Sequence, residues 1–129
     1  MIYYTSCNDI QDLNNLYKEW VGKDLSHSHI LWNSFFVVAK DNDKIIGAAQ
    51  LIVIDDPFWD KRWGLIENVF VKKEYRRQGI GMVLMKQSEN QAIAIGCSFV
   101  KLTTRKKEGK ELYRSIGYEE GSSFRKGLQ

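Results

Sequence analysis

Arg76-Arg77-Gln78-Gly79-Ile80-Gly81 has residue types and a spacing suited to holding an anion. The two glycines stand where helical spacing begins, at Met82-Val83-Leu84-Met85. A glycine has no Cβ, so the backbone can approach a ligand closely. The first N–H groups of a helix lack internal partners, and the helix dipole places about +0.5 charge there. Phosphate suits such a terminus, and two arginines add charge and bidentate donors. The competing reading is a tight turn between packed elements. Two phosphate motifs are excluded. The dinucleotide fingerprint needs a small residue where Leu84 stands, and the P-loop needs Gly-Lys-Ser/Thr where Gly81 is followed by Met82-Val83.

The surrounding elements must position this stretch. Leu65 to Val71 is β-branched and aromatic-rich, which predicts a buried strand, and Lys72-Lys73-Glu74 reads as a polar turn. Downstream, Ile80, Leu84, Ser88, Ala92 and Ile95 form one apolar or small helical face, and Gly96 is a natural stop. Cys97 to Thr104 reads as the next strand, so strand, helix and strand form a right-handed crossover. A ligand then belongs at the C-terminal ends of those strands. Before the stretch, Ile2–Cys7 reads as a strand. Asn8 or Asp9 can cap a helix whose apolar face is Ile10, Leu13, Leu16, Tyr17 and Trp20 and which ends near Gly22. Phe35–Lys40 and Ile45–Ile54 read as strands joined by hairpin chemistry at Asp41-Asn42-Asp43. Asp55 to Arg62 reads as a turn; its Phe58 and Trp59, with Trp63, either pack on the sheet edge or form a lip over a pocket. After the charged run Arg105–Lys110, a short helix is expected over Glu111–Ile116, ended by Gly117. Two short strands are expected from Tyr118 onward.

The chain has 129 residues, 43% of them hydrophobic and 12% aromatic, which predicts one ordered domain with a real core, covering residues 1–129. No apolar run approaches a membrane span, and the N-terminus shows no signal-peptide pattern. Cys7 and Cys97 are read as buried reduced thiols in a cytoplasmic protein. His27 and His29 have no carboxylate or cysteine nearby to complete a metal site, so no metal is expected. The net charge of +3 is divided unevenly, with −3 on residues 1–64 and +6 on residues 65–129. A basic half can serve nucleic acid or a polyanionic small ligand. Without an RNA-binding or helix-turn-helix signature, the small ligand is preferred.

Arg76-x-x-Gly79-x-Gly81, after a strand ending at Val71, resembles the acetyl-coenzyme A pyrophosphate loop of the GNAT superfamily of N-acetyltransferases. The wider phrase Glu67-x-Val69-x-Val71-x-x-x-Tyr75-Arg76-x-x-Gly79-Ile80-Gly81 is similar to that family, as is Leu112-Tyr113-x-x-x-Gly117-Tyr118. The resemblance implies an α+β fold: a mixed, mostly antiparallel sheet, splayed at its centre, with helices on both faces. It implies acetyl-CoA as co-substrate, its pantetheine arm pairing with the backbone of Val69, Phe70 and Val71. Its pyrophosphate would be held at Arg76, Arg77, Gln78, Gly79, Ile80, Gly81 and Met82. Tyr113 matches the family's general acid, and Glu67, a carboxylate in an otherwise apolar strand, is the candidate base; its competing reading is an outward strand charge. Where the family often has Asn and Ala before the tyrosine, this chain has Lys106 and Gly109. The expected reaction is acetyl transfer to a primary amine by direct attack in a ternary complex. The alternative is a non-catalytic acyl-CoA-binding sensor or interaction module. The acidic Asp55, Asp56 and Asp60, beside Phe58, Trp59 and Trp63, suggest a cationic small-molecule or peptide amine as acceptor. No nucleic-acid or membrane partner is expected, and the protein is expected to be a monomer or homodimer.

Overall fold

The computed structural model describes residues 1–7, 9–23, 33–102, 113–120 and 124–128. His27, His29, Lys106, Gly109 and Leu112 lie outside the described residues.

The elements follow the chain as β1 (Ile2–Cys7), α1 (Ile10–Val21), β2 (Ser34–Asp41), β3 (Lys44–Asp56), β4 (Lys61–Val71), α2 (Ile80–Ile95), β5 (Phe99–Leu102), β6 (Glu119–Glu120) and β7 (Phe124–Gly127). A single 3-10 turn, Lys73–Tyr75, separates β4 from the loop before α2. The strands form one sheet in the order β1-β2-β3-β4-β5-β7-β6. Every pairing is antiparallel except β4 with β5. The fold is therefore mixed α+β with a mostly antiparallel sheet.

Strand alternation sends side chains to two faces, and a helix covers each. Val38, Ile45, Ala48 and Phe70 pack with Leu13, Leu16 and Tyr17 of α1. Val37, Ala39, Ile46 and Ala49 pack with Ile80 and Leu84 of α2. Further along α2, Met85 and Ala92 join Leu51, Val53, Ile66, Val100, Leu102 and Tyr118. The expected face of α2 is confirmed: Ile80, Leu84, Ser88 and Ala92 are buried and Ile95 is half-buried. Met85 and Glu89 are buried beside them. One stripe underestimates this helix because it lies across two adjoining parts of the core.

The β3–β4 hairpin is longer than the sequence suggests. Asp55 pairs with Arg62 and Asp56 with Lys61, so only four residues remain in the turn. The Arg62 guanidinium donates to both Asp55 carboxylate oxygens, at 2.6 and 3.3 Å, which ties the strand ends together. The hairpin at Asn42 forms as expected, with Asn42 at a positive φ of 56°. Cys7 and Cys97 are buried free thiols.

Candidate active site

Among the described residues, β4 and β5 pair in parallel at Gly64 opposite Val100 and Leu65 opposite Lys101. Beyond Leu65, β4 runs on to Val71 without a described partner on that side. On its other side that half of β4 stays paired with β3, Gly47 opposite Val71 and Ala48 opposite Phe70. Gly64 leaves room for its neighbours, since a Cβ there would lie 2.7 Å from Leu51 Cδ1 of β3 and 3.2 Å from Val100 Cγ1 of β5.

A β-bulge marks the same half of β4. Ala48 pairs with Phe70, but Gln50 pairs with Glu67, so β4 carries one residue more than β3 between those points. The extra residue leaves Asn68 at φ 53°, a conformation Asn tolerates better than most residues. Its neighbours fix it. The Tyr17 hydroxyl donates to the Asn68 carbonyl at 2.7 Å, and the Asn68 amide donates to Gln50 Oε1 at 2.8 Å. Buried Gln50 donates in turn to Ser34 Oγ at 3.1 Å.

From the bulge, the backbone leads through the 3-10 turn to Arg77, at φ 63°, and Gly79, at φ 78°. Gly79 is the N-cap of α2, and its conformation suits glycine. No side chain caps this helix, and its first turn holds no acid. The orphan N–H groups of the first turn therefore face outward without an internal anion to satisfy them. A Cβ added at Gly81 would meet nothing within 4 Å, so this side of the turn is open.

These pieces line one cleft of about 490 Å³. Its walls include Val69, Phe70, Val71, Arg76, Arg77, Gly79, Ile80, Gly81 and Met82, which the sequence places together. Gln78 is not among its lining residues. The side chain of Ile80 is buried in the core, so its contribution to the wall is mainly backbone. Arg76 is already engaged: its Nε donates to the Val71 carbonyl at 2.9 Å, and its guanidinium lies 5.6 Å from the Phe70 ring centre. Two further lining residues are Trp20 of the α1 stripe and Tyr75 of the family-like phrase, neither of which the sequence assigns to the cofactor. Trp20 reads as core in the α1 stripe, but it is 44% exposed and stacks on Phe70, ring centres 5.2 Å apart. Tyr75 donates to Asp41 Oδ2 at 2.7 Å, which anchors the loop to the β2–β3 hairpin.

Glu67 and Tyr113 are the two candidate catalytic groups. Glu67 is half-buried in β4, and its burial raises the carboxyl above the ordinary carboxylate range. Residues 113–115 are helical, and Tyr113 packs against the core built by α2, β3, β4 and β5. Burial raises the Tyr113 phenol, and the negative charge of Glu67 raises it further, which places the two groups in electrostatic reach. Among the described residues no group of histidines, cysteines and carboxylates could hold a metal ion.

The acidic turn lies elsewhere. It joins β3 to the start of β4, the opposite end of that strand from Val69–Val71. Phe58 is 91% and Trp59 is 74% exposed, so neither packs on the sheet edge. Trp63 instead stacks on Phe99 at 5.6 Å, with Lys101 Nζ 4.8 Å from its ring centre.

The acetyltransferase (GNAT) family profile matches residues 6–118. The chain belongs to this family. Human N-acetyltransferase 8 is 30% identical over 123 residues, covering 93% of this chain and 49% of that protein. Bovine thialysine N-epsilon-acetyltransferase is 34% identical over 64 residues, covering 48% of this chain and 38% of that protein. The chain thus spans about half or less of these curated relatives. Solved structures share its fold. A Trypanosoma brucei acetyltransferase superposes with TM-score 0.80 over 94% of both chains at 18% identity. A Clostridium acetobutylicum predicted acetyltransferase, crystallised with acetyl-CoA, has TM-score 0.74 at 22% identity, covering 94% of this chain and 92% of its own. As this family's fold requires, the sheet is mixed and helices flank both faces. No described helix is long and apolar enough to cross a membrane.

Proposed function

We propose that this GNAT chain is an acetyl-CoA-dependent N-acetyltransferase acting on a primary amine by direct attack in a ternary complex. One observation carries the reading: the uncapped, acid-free N-terminus of α2 opens into the cleft beside the end of β4, Val69 to Val71. The residues fit coenzyme A. Main-chain N–H groups from Gly79 to Met82 would hold its pyrophosphate, with Arg77 adding charge. Backbone from Val69 to Val71 would pair with the pantetheine arm in the manner of an added strand, and Trp20 with Phe70 supplies an apolar wall. When bound, acetyl-CoA supplies the acetyl group as an activated thioester.

The chain's own groups manage the protons. An alkylamine has a pKa of ~10 and is protonated at neutral pH, so it must lose a proton before it attacks. Glu67, with its pKa raised, is a better base than an ordinary carboxylate and takes that proton directly or through water. Its negative charge also favours an acceptor that arrives as a cation. The raised phenol of Tyr113 keeps its proton at neutral pH and can give it from Oη to the departing sulfur. The test is Tyr113→Phe, assayed by thiol release with acetyl-CoA across a panel of amines, aminoglycosides, amino acids and peptides. An enzyme loses kcat with little change in coenzyme A affinity. A wild-type chain that binds coenzyme A and turns over none of the panel favours a sensor or interaction module instead.

A further inference from the structure

Glu89, in the third turn of α2, is 3% exposed and takes no part in the proton transfers above. Its Oε2 accepts from the Tyr118 hydroxyl at 2.9 Å, and its Oε1 accepts from Lys126 Nζ at 3.0 Å. The same ammonium donates to the Ile116 carbonyl at 2.8 Å and lies 5.4 Å from the Tyr118 ring centre. Three elements therefore meet at one buried carboxylate: α2, β7 and the segment that follows Tyr113.

Stability is a weak reason for this arrangement. Taking the Glu89 carboxylate out of water carries a desolvation cost, while Lys126 stays 26% exposed, and well-packed apolar side chains often do as well or better. What a hydrogen-bonded buried charge gives is a fixed geometry, because its partners cannot slide without leaving a charge unpaired. The geometry fixed here leads to Tyr113. The Tyr118 N–H donates to the Tyr113 carbonyl at 2.9 Å, and the Gly117 N–H donates to the Arg114 carbonyl at 3.2 Å. The Tyr113 and Tyr118 rings pack at 6.1 Å with a 58° tilt. Burial, then the Glu89 carboxylate, holds the Tyr118 hydroxyl well above the usual phenol range, so it remains a donor.

We infer that Glu89, with Lys126 and Tyr118 as its partners, is the positioning residue for Tyr113. This rests on the general-acid role proposed for Tyr113. Glu89 lies roughly 13 Å along the axis from Ile80, at 1.5 Å rise per residue. The helix that offers its N-terminus to the anion therefore also carries the anchor of the acid, and its length sets the separation of the two.

The test compares Glu89→Gln, Tyr118→Phe, the double variant Glu89→Met/Lys126→Met, and Tyr113→Phe as reference. Each is measured for kcat and KM by thiol release, for coenzyme A affinity by calorimetry, and for melting temperature. Glu89→Gln is expected to lower kcat about tenfold to a hundredfold, the loss that a misplacement of about 1 Å can bring. Its coenzyme A affinity stays within about twofold of wild type, since the N-terminal turn is untouched. The double variant removes both charges and recovers melting temperature, yet kcat stays low. Tyr118→Phe, which deletes one hydroxyl and keeps the ring, shifts kcat the same way by less. A Glu89→Gln protein with wild-type kcat overturns the inference, as does a double variant whose kcat returns with its melting temperature. Loss of coenzyme A affinity in parallel with kcat also overturns it, since α2 as a whole would then have moved. If Tyr113→Phe matches wild type, the reading of the reaction fails. If Tyr113→Phe collapses while Glu89→Gln does not, only the positioning role fails. The ring signal of 13C-labelled Tyr113 adds a readout without turnover: broadening in Glu89→Gln is expected, and an unchanged line counts against the inference.

Discussion

The two long helices begin in opposite ways. At the start of α1, the Asp9 carboxylate accepts from the N–H groups of Gln11 and Asp12 at 3.0 and 3.2 Å, and Asp12 adds a second negative charge in the first turn. At the start of α2 stand Gly79 and Gly81, with no side-chain cap and no acid. The first terminus is satisfied from within the chain; the second is not, and in the function proposed above a phosphate of coenzyme A takes that place. A bare helix start forgoes about 1 kcal/mol that a cap could contribute, which is reasonable where a ligand takes the place of the cap. The comparison teaches that the absence of a capping residue, read beside a capped neighbour, is itself a signal of use.

The largest expected effect comes from closing the open terminus. Gly81→Val should raise the coenzyme A dissociation constant by roughly 100-fold, about 2.7 kcal/mol, because a branched side chain then occupies the ligand's approach. The melting temperature should change little, since the added Cβ has no neighbour within 4 Å. Calorimetry on the folded variant decides it, and an unchanged affinity would remove the loop from the site. Next, Gly79→Asp makes α2 resemble α1. Asp tolerates a positive φ better than most residues, and its charge should compete with phosphate and weaken coenzyme A about tenfold, less at high salt.

The reverse experiment is smaller. Asp9→Ala should cost about 1 kcal/mol in urea unfolding and leave coenzyme A affinity as it was. A loss of affinity would mean that the two termini are not separable. The smallest effect contrasts two carboxylates, Asp9 on an exposed cap and Glu67 in the half-buried strand. Burial raises the folded pKa of Glu67 above its unfolded value. The stability that goes with its protonated form is complete below the unfolded pKa and is lost as pH rises through the folded pKa. Glu67→Gln should therefore gain melting temperature relative to wild type between pH 4 and pH 7. A constant difference across that range would show that Glu67 is solvated like an outward strand charge.

Much of this was legible in the residues. Glycine and arginine at one helix start, a β-branched run before it and an apolar stripe after it placed the cleft wall nearly completely. Asp9 and Gly22 bounded α1 as their chemistry predicts. What stayed hidden depends on partners distant in sequence. The bulge at Asn68 is an insertion relative to β3, and a single strand carries no mark of its register with another. Trp20 fits a helical stripe as well as any core residue, and only the docking of α1 beside Phe70 makes it a wall of the cleft. The hairpin extends to Asp56 and Lys61 because the Asp55–Arg62 pair joins strand ends whose local composition favours a turn. Glu89 breaks the expected face of α2, since its partners arrive from β7 and from Tyr118.

The stacking of Trp20 on Phe70 at the mouth of the cleft has an optical consequence. An indole that is part wall and part solvent-exposed changes its emission when water is displaced from its edge. Trp20 is thus a built-in chromophore for occupancy, whereas Trp59, on the far hairpin tip, contributes a constant background. Titrating coenzyme A into the unlabelled protein should shift the emission, and Trp20→Phe should remove most of the shift while binding continues.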